Sequence, residues 1–177
     1  MPPWGIYIYT ESVSICMRIF TLNKKLRLLG VLLLFWGVFF SGFEFYEVDG
    51  DSMNPTLKDG TKVFVNSIYC KIVSPDRGDI IVTDDPNNNS DHLIKRVVGL
   101  PNERIMIKNG FIYVDGRKLE EKNKERIMLT RGSIYYLDTT EIKLKYNEYY
   151  IIGDNRNYTW YGIIKEKHII AMLVNQR

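Results

Sequence analysis

Ser52 stands in the stretch Gly50-Asp51-Ser52-Met53-Asn54-Pro55, and a serine hydroxyl at its ordinary pKa is a weak nucleophile that needs a base beside it. Alone, the stretch is also ordinary turn chemistry. The usual base is histidine, and the chain has two: His92 in the polar approach to a strand, and His168 in KEKHIIAM near the C-terminus. Nothing marks either as the base of a triad. Lys95 differs because it lies inside LIKRVVGL, where alternation puts Leu93, Lys95 and Val97 on one face and Ile94, Arg96 and Val98 on the other. Either Lys95 or Arg96 must therefore share a face with apolar neighbours. Burial disfavours the ammonium form of a lysine, and a neutral amine is a competent general base near neutral pH. The plainer alternative is an edge strand whose lysine points at water.

The elements that must position these residues read as strands and turns. From residue 60 onward, KVFV, DIIV, LIKRVV, RIMI, FIYV, SIYYL and YYII are short β-branched and aromatic runs. Asp59-Gly60, Asn109-Gly110, Asp115-Gly116 and Arg131-Gly132 lie between them. Asn109-Gly110, between ERIMIK and FIYV, is the strongest hairpin signal, since a two-residue type I′ turn needs positive φ at both central positions. The expected fold is all-β, built of antiparallel strands, with polar surface loops at 84–91 and 116–126 and neither an internal repeat nor a second domain.

The formal net charge of +3 is not spread evenly. Residues 1–30 carry Arg18, Lys24, Lys25 and Arg27 against Glu11, and the remainder is neutral, with 20 basic and 20 acidic side chains. That excludes a nucleic-acid partner as the expectation for the folded part. The basic excess instead precedes Leu28 to Phe43, sixteen residues without a charge. At about 1.5 Å per residue these would span roughly 24 Å, a little under the ~30 Å hydrocarbon core. No small-x-small pair follows, so we expect an uncleaved membrane anchor at 26–45. Its N-terminal segment, 1–25, would be cytoplasmic and residues 46–177 extracytoplasmic. Residues 1–16 read as an extension ahead of a more ordinary start at Met17. Cys16 and Cys70 would then lie on opposite sides of the membrane and cannot pair, and no Cys or His spacing suggests a metal or other cofactor.

Four segments taken in order sharpen the reading: GDSMNPTLKDG (50–60), DRGDIIV (76–82), IKRVVGLPNE (94–103) and IIGDNRN (151–157). Behind a single basic-flanked apolar run, this set resembles the bacterial type I signal peptidases, membrane-bound serine proteases that remove signal peptides from exported proteins. The resemblance covers about residues 24–174 and is nearest to the Gram-positive representatives. It implies a barrel-like all-β catalytic domain, Ser52 as nucleophile and Lys95 as general base, with signal peptides and membrane lipid as partners. The backbone N–H of Ser52 would be one oxyanion donor. Gly50 stands where some members supply a second donor as a serine hydroxyl. The substrate would lie extended along Tyr46, Val48, Met53, the run Asp79 to Val82, and Ile94.

The last segment departs from the family pattern. After GDNR the chain reads NYTWYG at 157–162, without the usual Asp-Ser-Arg. Thr159 falls where a family serine would hydrogen-bond the lysine amine, while Asp154 and Arg156 are expected to be structural. Two other readings stay open on this point. One is a specialised Ser/Lys maturation protease, the soluble LexA type being disfavoured by the apolar run. The other is a non-catalytic, signal-peptidase-like partner in pilus assembly.

Overall fold

The computed structural model describes residues 24–40, 42–86, 88–121, 126–128, 135–157 and 160–174. A helix, α1 (Lys24–Phe40), precedes a compact β unit that begins at Gly42. Leucines, with Val31, Phe35 and Trp36, fill α1 with good helix formers and large apolar groups. Leu28, Leu33, Phe35 and Trp36 are each more than 60% exposed. The helix stops at Phe40, and a strand has begun by Phe43. The apolar stretch expected at 26–45 is therefore split between helix and strand, and among the described residues no helix is long and apolar enough to cross a membrane.

The β unit holds two antiparallel sheets. The larger comprises β1 (Phe43–Glu47), β2 (Lys62–Asn66), β3 (Ile80–Asp85), β4 (Asn88–Gly99), β9 (Glu148–Ile152), β10 (Tyr161–Lys165) and β11 (Ile169–Leu173). Its order is β1-β2-β11-β3-β4-β9-β10, which puts β3 and β4 inside the sheet and leaves β1 and β10 as its edges. The smaller runs β7 (Arg117–Lys118), β6 (Phe111–Val114), β5 (Arg104–Lys108), β8 (Ile142–Lys143). A four-residue helix, α2 (Tyr69–Ile72), follows β2, with Asn66 Oδ1 accepting the N–H groups of Ile68 and Tyr69.

Three buried apolar clusters hold these layers together. One lies under the small sheet, around Ile105, Ile107, Ile112 and Ile152; another holds Met53, Val65, Ile80 and Val82 beneath the Ser52 loop. The third joins Ile81, Val97, Tyr149 and Ile151 on the opposite side of β3, β4 and β9. The strands β3 and β9 have apolar residues on both faces because both faces are covered, which is why DIIV and YYII read as continuous rather than alternating runs. Each fully buried valine or isoleucine contributes about 1.5–3 kcal/mol relative to exposure.

Three expectations change. The stretch expected as a polar loop at 84–91 instead extends a hairpin, β3 running through Asp85 and β4 starting at Asn88. Arg117 and Lys118 form a short strand inside the expected charged loop at 116–126. Of SIYYL, the described residues 135–137 contribute an isolated bridge, Tyr136 to Met128, and leave Tyr135 exposed. Asn109 and Gly110 do form the hairpin turn, with φ of 49° and 74° and Lys108 opposite Phe111. A Cβ on Gly110 would sit 2.8 Å from the Ile127 carbonyl oxygen. Gly110→Ala should therefore cost about 1–3 kcal/mol, more than the backbone strain alone, measured as a fall in the denaturant midpoint. A variant as stable as the parent would show that the turn yields freely.

Candidate active site

The loop after β1 carries Ser52 to the side of β4 that presents Lys95. On β4, Lys95 pairs across with Ile81 and its side chain turns inward to 3% exposure, while Arg96 projects to the opposite face. Lys95 Nζ lies 2.8 Å from Ser52 Oγ and also donates to the Ile94 carbonyl at 2.9 Å. Burial pushes the lysine down from 10.5 to about 8, the negative charge of Asp85 opposing that in part. With one N–H engaged by Ile94, the lone pair of the neutral amine is free to take the serine proton.

The pair sits in a cleft of about 660 Å³, walled by residues 46–53, by His92 to Lys95 and by Trp160. Met53, fully buried, anchors the loop from below. Ser52 and its neighbours thus meet two requirements of nucleophilic catalysis: a base within reach, and space for an acyl group beside it.

Comparison with known proteins bears on what this cleft is for. A model described as "Signal peptidase, peptidase S26" matches residues 22–173. The chain belongs to the peptidase S26 signal peptidase family. It is 39% identical over 115 residues to signal peptidase I S of Bacillus subtilis (strain 168), a match covering 63% of this chain and 61% of that one. The chain thus spans about three fifths of that relative's length. Signal peptidase I V of the same organism is 33% identical over 139 residues, 72% of this chain and 82% of that one. A crystal structure of a signal peptidase I from Enterococcus faecalis V583 overlaps with a TM-score of 0.46 at 23% identity, covering 58% of this chain and 98% of that one.

In this S26 chain the GDNR stretch braces the loop that carries Ser52. Asp154 is buried at 3% exposure and takes a bidentate hydrogen bond from Arg96, Nε to Oδ1 at 2.8 Å and Nη2 to Oδ2 at 2.6 Å. It also accepts the hydroxyl of Thr56, three residues beyond Met53. Asn155 donates its backbone N–H to the Ser52 carbonyl at 3.0 Å and its side-chain amide to the Asp51 carbonyl at 3.1 Å. Arg156 is buried and paired with Glu121, with Nε and Nη1 lacking a hydrogen-bond partner among the described residues. Burial lowers its pKa, but the guanidinium stays charged.

The expected substrate wall is only partly assembled. Tyr46, Val48, Met53 and Ile94 line the cleft. Asp79 to Val82 do not: β3 lies inside the sheet with Ile80, Ile81 and Val82 in the core, and the Asp79 carboxylate accepts the Asp76 N–H at 2.9 Å. Thr159 and Cys16 lie outside the described residues. Gly50 adopts φ of 84° and donates its N–H to Asp59 at 2.8 Å. Its glycine follows from the backbone, since a serine there would bring about 1–3 kcal/mol of strain with its hydroxyl.

Sequence reasoning passed over Asn155, Thr56 and Trp160, and it set both histidines aside. His92 lies on the cleft wall but exposed, its Nδ1 3.6 Å from Asp84. His168 faces the same carboxylate, also at 3.6 Å. The repeat of Asn at 155 and 157 after a buried strand was the available signal for the brace, and turn asparagines rarely announce which carbonyl they will hold.

Proposed function

We propose that this protein is a signal peptidase I, a serine endopeptidase that cleaves signal peptides from exported preproteins with Ser52 as nucleophile and Lys95 as general base. The observation that carries the reading is the 2.8 Å approach of a buried lysine amine to Ser52 Oγ. Membership of the family supports the substrate class.

In the acylation step, Lys95 Nζ takes the Ser52 proton as Oγ attacks the scissile carbonyl. The resulting ammonium returns that proton to the departing amine, so the new N-terminus leaves neutral and an ester joins the signal peptide to Ser52. Lys95 then takes a proton from water, whose oxygen attacks the ester, and gives it back to Ser52 Oγ. The Ser52 backbone N–H stabilises the oxyanion in both halves; in other enzymes such a donor is worth about 3–4 kcal/mol. Tyr46, Val48, Met53 and Ile94 receive the small side chains preceding the cut.

The same reading makes α1 the membrane attachment. Its exposed leucines, Phe35 and Trp36 suit lipid better than water, and at about 1.5 Å per residue its 17 residues reach roughly 25 Å, which tight anchoring residues or local thinning can accommodate. The N-terminal Lys24, Lys25 and Arg27 would then face the cytoplasm. A non-catalytic assembly partner would be expected to lack the serine or the lysine, and both are present.

The test is cleavage of a signal-peptide substrate by the detergent-solubilised protein, followed by mass. The parent should cut after a small residue at the signal-peptide junction and Ser52→Ala should release no product. An inactive parent, or an active Ser52→Ala, overturns the reading.

A further inference from the structure

Resting on that reading, we infer that Asn155 is a positioning residue that aims the oxyanion donor. The Asp51–Ser52 peptide bond is planar, so its carbonyl and its N–H point in opposite directions and turn together. Two donors hold the carbonyl, the Asn54 N–H at 3.0 Å and the Asn155 side-chain amide at 3.1 Å. Fixing that oxygen fixes the direction of the Ser52 N–H on the other side of the plane. No acceptor for this N–H occurs among the described residues, and Ser52 itself lines the cleft. A donor without a partner at the reacting residue is what a developing oxyanion requires.

The neighbouring contacts keep the plane from rotating. Asn155 also donates its backbone N–H to the Ser52 carbonyl, so consecutive carbonyls, at 51 and 52, are held by the two donors of one residue. Asn155 Oδ1 accepts the Asn157 N–H at 3.2 Å, which sets the amide the right way round to donate to Asp51. Hydrogen bonding at the carbonyl also polarises the N–H of the same peptide and strengthens what it donates. None of these contacts involves Lys95, so the base and the oxyanion donor are positioned separately.

Two variants separate this role from a merely structural one. Asn155→Ala removes the side-chain donor, while Asn155→Asp keeps the acceptor for Asn157 and faces the Asp51 carbonyl with a repelling carboxylate. We expect kcat to fall about 10-fold in the first and about 100-fold in the second, against the 10²–10³ that loss of a whole oxyanion donor costs. KM, and the pH at which activity rises, should stay near the parent's. Affinity for a peptide aldehyde, which places an oxygen in the oxyanion position, should fall in step with kcat, while affinity for an uncleaved peptide measured on a Ser52→Ala background should not. If the aspartate variant melts below the assay temperature, the alanine variant carries the same comparison of aldehyde and peptide affinities. Equal losses for both ligands, or kcat within twofold of the parent in a folded variant, would overturn the inference. Inactivity of the parent in the same assay would instead count against the proposed function.

Discussion

Lys95→Met is expected to lower kcat/KM for signal-peptide cleavage by at least about 10³-fold while making the folded protein more stable. The loss follows because the amine would serve both halves of the proposed reaction, and general acid–base catalysis alone contributes about 10²–10⁴. The gain follows from the pKa. Holding the lysine at about 8 when the unfolded chain would leave it at 10.5 costs the folded state about 3 kcal/mol at neutral pH. Methionine fills similar space without a charge, so most of that cost should disappear and the melting temperature should rise. In the parent the sign is fixed by the same shift. Below pH 8 the amine is protonated and cannot accept the Ser52 proton, so kcat/KM should climb with pH and level off above about 8. Folding stability should also increase between about pH 8 and 10.5, because there the unfolded chain binds the proton that the folded one has lost. A flat profile between pH 6 and 9, or an active Lys95→Met, would remove the lysine from the mechanism.

Asp154→Ala should destabilise the protein by about 3–5 kcal/mol. Arg96 keeps 17% of its side chain exposed and Asp154 none, so removing the carboxylate strands a guanidinium in a poorly hydrated place and also releases the Thr56 hydroxyl. Arg96→Met combined with Asp154→Leu should recover a large part of this, since two apolar side chains leave no charge unpaired. Chemical denaturation of the three variants measures it. A loss under about 1 kcal/mol for Asp154→Ala would mean that water replaces the carboxylate readily and that the brace is weak.

The sequence made the inner strands legible because covered β-strands carry dense Ile, Val and Tyr, as at Ile80 to Val82 and Tyr149 to Ile152. It made β1, β10 and β11 less so. Phe43 to Glu47 follows directly on an apolar run and was absorbed into it, although a strand there is exposed on one side and paired with β2 on the other. Tyr161 to Lys165 and Ile169 to Leu173 are separated only by a 3₁₀ turn, Glu166 to His168, without the glycine or proline that would announce two strands. For the site, alternation along β4 narrowed the choice to Lys95 or Arg96, and no local rule could say which faces the serine. That depended on Asp154, 58 residues beyond Arg96, which draws the guanidinium to the other side. Asp79 shows the converse: its motif is intact, and its side chain closes a turn rather than lining the cleft.

Because Lys95 and Arg96 are adjacent and face opposite ways, the register of β4 is a chemical decision as well as a structural one. Slipping the strand by one residue exchanges every side chain between its faces. The cleft would then hold a guanidinium, which keeps its proton throughout the working pH range and cannot act as a base. The same slip would leave Asp154 facing a lysine, whose single ammonium lacks the planar fork that a two-pronged bond needs. A misregistered chain would therefore lose its cutting ability and its brace together.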